Sequence, residues 1–510
     1  GAGRRPRWSA ACTWSAGRRL PSKLPAMAAT GCALAMRRAP LVPRLACAAI
    51  VLLAHTAAAE DTDPRYLLMN MQYGNIPYFK TALAAAAPGP PAANPALAVG
   101  ISTLFNLVNN DTNTGGPLLT GIEELLANVT RERTPIFLGI DGENWWSNSG
   151  LSNWWDPRSP GYNPANRFNV EWTSPDGATD DGSVLKISWR NWGSQIRVSP
   201  QQNFHSPPVM AAYKQQLRTA IPVIVRWYDA LPAGDKYLLA GIKVGWEASI
   251  GWNAYYYPGG NAFASSANRS DDPCLCPPGG TPPCTIATKN AACHLNKSAP
   301  GAAWGMQQLG YSAARSAGLT PSGPDGTLSR ADIASLVQMY LSNITAEVKS
   351  LGFPLHKLYT HLGGTMVDKT CDAADPSTCD PDTQTPHVPF SAGITGADPL
   401  QSSTLGVSVY ARPPAEQPTL ALDLDHEQPH GGRRWAAVEW GLGSNWHPQG
   451  VLPHTVESWV ASYNATLSFG NCRLLAFYNW KPTKLPSVAL VAARRMLEVW
   501  SPPAAPPDND

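Results

Sequence analysis

Short apolar runs recur along the chain, separated by segments of helical spacing or by long polar loops. The first run is Tyr66 to Met71 (YLLMNM). Pro135 to Asp141 (PIFLGID) follows an amphipathic stretch from Gly121 to Glu132. Val184 to Trp189 (VLKISW) is shorter. Tyr237 to Glu247 (YLLAGIKVGWE) follows a helical pattern from Val209 to Asp229, and Lys357 to His361 (KLYTH) follows another from Arg330 to Ser350. Leu405 to Tyr410 (LGVSVY), Trp435 to Trp440 (WAAVEW) and Arg473 to Trp480 (RLLAFYNW) complete the set, the last preceded by a helical segment from Thr455 to Leu467. A final helix spans Ser487 to Val499. Runs this short and this apolar fit strands buried on both faces.

Eight such strands with helices between most of them predict an α/β fold, a parallel (β/α)8 TIM barrel over residues 60–500. In such barrels function sits at the C-terminal ends of the strands. The residues at or just beyond those ends are polar and aromatic: Asp141, Glu143, Trp145 and Trp146; Trp189, Arg190, Asn191 and Trp192; Trp246 and Glu247; His361; Tyr410; Glu439 and Trp440; and Tyr478, Asn479 and Trp480.

Two of these residues suggest a reaction. Glu247 follows VGW and precedes ASIG, and Glu439 follows AAV and precedes WGLG, so small residues leave room beside each. Burying carboxylates is costly without a purpose. Counted along the chain, they end strands four and seven, which face each other across a barrel mouth. Hydrolysis of a glycosidic bond needs two such carboxyl groups, one to protonate the leaving oxygen and one to attack the anomeric carbon or activate a water. Asp141 and Glu143 are the other carboxyls able to replace one of the pair, either of them in an inverting hydrolase. A carbohydrate-binding barrel without catalysis is the alternative from a different class. The G-x-S-x-G pattern of other hydrolases does not occur, and the adjacent His205 and Ser206 suggest no third partner. HEQPH (His426 to His430) spells H-E-x-x-H, but it lies in the acidic segment DLDHEQPH, which reads as a solvated loop before strand seven.

A Glu ending strand four and a Glu ending strand seven resembles the clan of retaining (β/α)8 glycoside hydrolases that includes β-galactosidases, cellulases and mannanases. The resemblance covers roughly residues 62–500. It implies Glu247 as acid/base and Glu439 as nucleophile, Trp480 as a platform for the sugar, and Tyr410 as a hydrogen-bond donor to the nucleophile. Trp246 departs from the clan, which usually has Asn before its acid/base. The stretch VGWEASIGWNAYYYPGG is also similar to β-amylases, which invert.

Composition adds a ligand and a compartment. The chain carries 19 Trp, and its 49 Pro and 43 Gly imply long ordered loops. The stretch DGENWWSNSGLSNWWDP interleaves Trp with polar side chains, as a carbohydrate subsite requires. Seven Trp fall between Trp145 and Trp192, and some of them serve to pin a long loop. Trp145, Trp146, Arg190, Asn191, Trp246 and His361 join Asp141 and Glu143 as candidate substrate contacts. Net charge is +2 with no basic stripe, so nucleic acid is not an expected partner.

Residues 1–59 predict a leader. Arg37, Arg38 and Arg44 precede the short apolar Leu45 to Ala54, and Ala57–Ala59 offers a cleavage site, so a signal peptide over about 27–59 and secretion are expected. No later run is long enough for a membrane span. Cys274, Cys276, Cys284 and Cys293 lie in the insert 271–298, and Cys371 and Cys379 in a second polar loop. These six predict loop-stapling disulfides and leave Cys472 as the free thiol. Their spacing fits no metal set, so neither metal nor cofactor is expected. N-x-S/T sequons at Asn110, Asn128, Asn268, Asn296, Asn343 and Asn464 fit a glycoprotein. Residues 501–510 predict a disordered tail.

Overall fold

The computed structural model describes residues 63–71, 76–86, 96–106, 118–141, 164–172, 202–245, 254–255, 306–307, 310–323, 326–361, 403–410, 414, 434–441, 455–478 and 487–500. The chain divides into two compact units, 1–63 and 64–510, and every described helix and strand belongs to the second. The leader, the insert 271–298, the loop around Cys371 and Cys379, and the tail lie outside the described residues.

Eight parallel strands form one sheet. In chain order they are β1 (Arg65–Asn70), β2 (Leu97–Asn106), β3 (Ile136–Asp141), β4 (Leu239–Val244), β5 (Leu358–Thr360), β6 (Leu405–Tyr410), β7 (Arg434–Gly441) and β8 (Asn471–Phe477). Each pairs with its neighbour in sequence, β1 also pairs with β8, and a parallel bridge between Tyr359 and Thr404 closes the ring between β5 and β6. The helices are α1 (Ile76–Ala86), α2 (Leu118–Glu132), α3 (Pro207–Ala230), α4 (Tyr311–Ala317), α5 (Arg330–Ser350), α6 (Val456–Leu467) and α7 (Val488–Val499). This is the expected (β/α)8 barrel, with one change of membership. Its second strand is Leu97–Asn106, which the apolar pattern does not pick out. The segment Val184 to Trp189 lies outside the described residues.

Local signals set the helix ends. Pro207 and Pro208 occupy the first turn of α3, where their missing amide protons cost nothing. Ser329 with Asp332 and Thr455 with Ser458 close capping boxes on α5 and α6, and the Ser487 hydroxyl accepts from the Leu490 amide to start α7.

The strands sort their side chains to two cores. Leu67, Met69, Ile101, Leu138, Ile242, Val407 and Trp435 face outward and meet the helices. Tyr66, Leu68, Phe137, Ala240, Tyr359, Ala436, Val438 and Leu474 fill the bore, where Phe137 and Tyr359 pack edge to face at 5.8 Å. The inner face of β2 carries the small Ala98, Gly100 and Ser102 opposite these rings, which explains its weak signal.

Three irregularities interrupt the alternation, one of them in β8 between Cys472 and Leu474 and the other two in β4 and β7. Between β3 and β4 the pairing steps from Ile136–Leu239 to Phe137–Gly241, so β4 carries one extra residue. Gly241 sits there at φ +149, and a Cβ on it would lie 2.5 Å from the Lys357 carbonyl oxygen. The Leu239 carbonyl accepts from the buried Lys357 ammonium at 2.8 Å. The second bulge lies in β7, where the register shifts against both neighbours between Ala437 and the Glu439–Trp440 pair.

One hydroxyl ties together the ends of β3 and β4. Tyr213 Oη, from α3, donates to the Ile140 carbonyl at 3.1 Å and accepts from the Gly245 amide at 2.9 Å, both buried. Tyr213→Phe leaves the Gly245 amide buried without this acceptor and is expected to lower the unfolding free energy by about 1–3 kcal/mol. Urea unfolding of the variant against the parent measures it.

Candidate active site

Four consecutive strands each bring one polar side chain into the C-terminal end of the bore. Lys243 comes from β4, His361 directly follows β5, Ser408 lies in β6 and Glu439 in β7. Lys243 Nζ donates to Glu439 Oε1 at 2.6 Å and lies 3.3 Å from His361 Nδ1. His361 Nε2 is 3.1 Å from Ser408 Oγ and 3.7 Å from Glu439 Oε1. The side chains of Lys243, His361 and Glu439 are 3%, 2% and 9% exposed, so this is an interior pair and not a surface salt bridge.

The two bulges put both charges there. Ala436 and Val438 face the bore, and Trp435 and Ala437 face the helices. Strict alternation would send Glu439 outward with Ala437. The extra residue in β7 turns Glu439 inward and Trp440 outward. Likewise Ala240 faces the bore, so strict alternation would send Lys243 outward. The extra residue in β4 sends Ile242 and Val244 to the outer core and Lys243 inside.

Outer packing holds the β7 bulge in place. Trp440 is fully buried. Its Nε1 donates to Thr466 Oγ1 at 2.9 Å, and its ring lies between Trp459, Tyr463 and Phe477 at 5.2–6.0 Å. Trp440, read from sequence as part of the strand-end rim, is therefore a core residue. It faces outward because the bulge gives the inward position to Glu439.

The protonation of His361 follows from its neighbours. An ammonium group only donates hydrogen bonds, so Nδ1 facing Lys243 is the acceptor and Nε2 carries the proton. Burial, and then the Lys243 charge, hold the imidazole well below its ordinary value of 6.5. Its Nε2–H thus points at Ser408 and towards Glu439. A narrow cavity beside the pair is lined by Asn70, Ser102, Lys243, Glu439 and Tyr478.

Of the residues singled out from sequence, Glu439 and His361 are brought together. Asp141 and Tyr410 are placed by their backbones, as the last residues of β3 and β6. Glu143, Trp145, Trp146, Arg190, Asn191, Trp246, Glu247 and Trp480 lie outside the described residues. Glu247 follows the last residue of β4 by three positions. Trp172, the described member of the Trp-rich region, is buried, with Nε1 donating to the Arg167 carbonyl at 2.9 Å. Lys243, Ser408, Asn70 and Ser102 were not picked out, whereas Tyr478 was read at the end of the last strand. The one available signal was a lysine inside the apolar run LAGIKV.

Other buried polar groups serve the frame. Glu171 accepts from the amides of Gly310, Ser312 and Ala313 at the start of α4. Burial pushes its carboxyl up to about 8, against those three donors. His205 Nε2 meets the Leu336 carbonyl at 2.9 Å, and Ser206 Oγ donates to Asn169 Oδ1. Cys472 is a buried free thiol, which burial pushes up to about 11. Among the described residues no group of His, Cys, Asp and Glu could hold a metal ion, and no helix is long and apolar enough to cross a membrane.

No family model and no curated protein matches the chain. Among solved structures it is similar to the catalytic domain of β-amylase from Paenibacillus polymyxa, at 11% identity and a TM-score of 0.41, over 87% of this chain and 99% of that one. It is also similar to a GH5-4 broad-specificity endoglucanase from an uncultured bacterium, at 8% identity and a TM-score of 0.35 over 88% and 96% of the two chains. A β-glucosidase matches at 8% identity and a TM-score of 0.35 over 83% and 88%.

Two outcomes follow from the buried cluster. Lys243→Met takes the ammonium away from a buried carboxylate and is expected to cost about 3–5 kcal/mol of stability, most of it recovered in Lys243→Met/Glu439→Gln, where both charges go together. Urea unfolding of the three chains measures this. His361 is neutral when folded and takes a proton near pH 6.5 when unfolded, so the unfolded state binds more protons below that pH. Its contribution is fully present above pH 6.5 and falls as pH drops towards the folded value, by up to about 1.4 kcal/mol per pH unit. His361→Gln should flatten the stability–pH slope by one proton in that window.

Proposed function

We propose that this chain is a secreted glycoside hydrolase that cleaves O-glycosidic bonds of an oligo- or polysaccharide with two carboxyl groups. Glu439 is the nucleophile, and Glu247, just beyond β4, is the acid/base. The observation that carries the proposal is the β7 bulge, which turns Glu439 out of alternation and into the C-terminal mouth of a parallel barrel, where such folds keep their chemistry.

The surroundings suit the chemistry. The bore below the cluster is filled by Tyr66, Phe137 and Tyr359, so water has little access from beneath and the charges act across a poorly screening medium. Lys243 meets the carboxylate with a donor before substrate arrives. The Trp-rich segment 145–192 supplies flat apolar faces for sugar rings, and Asp141, Glu143, Arg190, Asn191, Tyr410 and Trp480 supply contacts for hydroxyls. The leader and the sequons belong to the same proposal, which places the protein in the secretory pathway.

The test is a screen of the secreted protein on aryl glycosides and polysaccharides, with Glu439→Gln and Glu247→Gln in parallel. Each substitution should lower kcat by at least about 10²–10⁴-fold, the scale of a positioned acid or base. With azide, Glu439→Gly should convert an activated substrate to the glycosyl azide of inverted configuration. Full activity in both Gln variants would overturn the two-carboxylate mechanism, and sugar binding without turnover in the parent would mark a binding barrel.

A further inference from the structure

We propose that Lys243 is the positioning residue of this site, anchoring Glu439 through Oε1 and holding His361 in its Nε2–H tautomer. The inference rests on the assignment of Glu439 to the reaction and adds a residue that the motif around Glu247 does not contain.

Three observations meet at Lys243. Its place in the bore depends on a bulge of its own. That bulge is built on Gly241, whose φ of +149 and 2.5 Å Cβ clearance to the Lys357 carbonyl exclude a side chain. The ammonium has contact with two functional groups at once, Glu439 Oε1 at 2.6 Å and His361 Nδ1 at 3.3 Å. Because it can only donate, both contacts are directional. The carboxylate oxygen is held at one point, and the imidazole must present Nε2–H to Ser408 and Glu439. A lysine kept only for stability would be a poor choice here, since apolar residues of similar volume in place of both charges are often as stable.

Removing the cation has a specific consequence for His361. With Lys243 gone, the Glu439 carboxylate still lies 3.7 Å from Nε2, and Nδ1 loses the Lys243 ammonium as donor. The ring is then free to take up a proton or the other tautomer. Arginine, also a donor that stays charged, preserves the lock.

The experiment is ring 15N NMR on the full chain labelled at histidine, with the His361 signal assigned by its loss in His361→Gln. The parent and Lys243→Arg should show one neutral species protonated at Nε2. Lys243→Gln should show a charged ring or a tautomer mixture at neutral pH. Lys243→Met/Glu439→Gln, in which no lone charge is left buried, should show mixed tautomers and keeps the test open if Lys243→Gln fails to fold. On any substrate found for the parent, Lys243→Gln should lower kcat about 100-fold with little change in KM, as expected for a misplaced reacting group. An unchanged Nε2–H signal in both the single and the double variant overturns the proposal, as does parental kcat in Lys243→Gln alongside an inactive Glu439→Gln. Full activity in Glu439→Gln overturns the functional assignment instead, whatever the NMR shows.

Discussion

The ammonium of Lys243 and the carboxylate of Glu439 share a hydrogen bond of 2.6 Å inside a barrel, where burying either charge is costly unless it is paired. Much of the surrounding structure follows from that constraint. Each charge reaches the bore only because its strand carries one residue too many for regular pairing. The bulge in β4 needs a glycine at Gly241 and a donor from Lys357 for the Leu239 carbonyl. The bulge in β7 needs an outer anchor strong enough to hold the strand in its shifted phase, and the Trp440 ring among Trp459, Tyr463 and Phe477 provides it. The site and the outer core are therefore two faces of one arrangement. A change that loosens Trp440 also loosens the direction of Glu439.

The bore is layered along its length. Tyrosine, phenylalanine and small aliphatic side chains occupy its body, and charged or hydroxyl-bearing side chains occupy its C-terminal end. The apolar layers keep the local dielectric low, which strengthens every interaction in the polar layer and makes an unpaired charge there expensive. This accounts for the linked chain from Ser408 through His361 and Lys243 to Glu439. Each member satisfies a neighbour that burial has cut off from water. A similar economy governs the frame beside the barrel. The buried Glu171 is matched by three amides at the start of α4, and the Tyr213 hydroxyl bridges two strand ends that would otherwise expose a carbonyl and an amide to the core.

Seven of the eight strands were legible as apolar runs, because strands buried on both faces must be apolar on both faces. Leu97–Asn106 was not, because its inner face carries Ala98, Gly100 and Ser102, small and polar residues that make room for rings from other strands. Five of the seven described α-helices were legible to within a few residues of their ends, α5 and α6 announcing themselves through capping residues next to periodic segments, whereas α1 and α4 were not picked out. At the site, Glu439 and His361 stood out as polar residues closing apolar strands. Lys243 did not, because a lysine in a strand ordinarily lies where its ammonium can reach water.

What the amino-acid sequence determined by itself is the alternation of strand and helix, hence a parallel barrel, and the presence of a glutamate and a histidine at the C-terminal ends of its strands. What only the tertiary structure decided is direction. A period of two residues assigns Lys243 and Glu439 to the outer face, and one inserted residue in each strand reverses both. Bulges are set by pairing with neighbouring strands and by packing on the far side of the sheet, and neither is written in the local pattern of the strand that carries them.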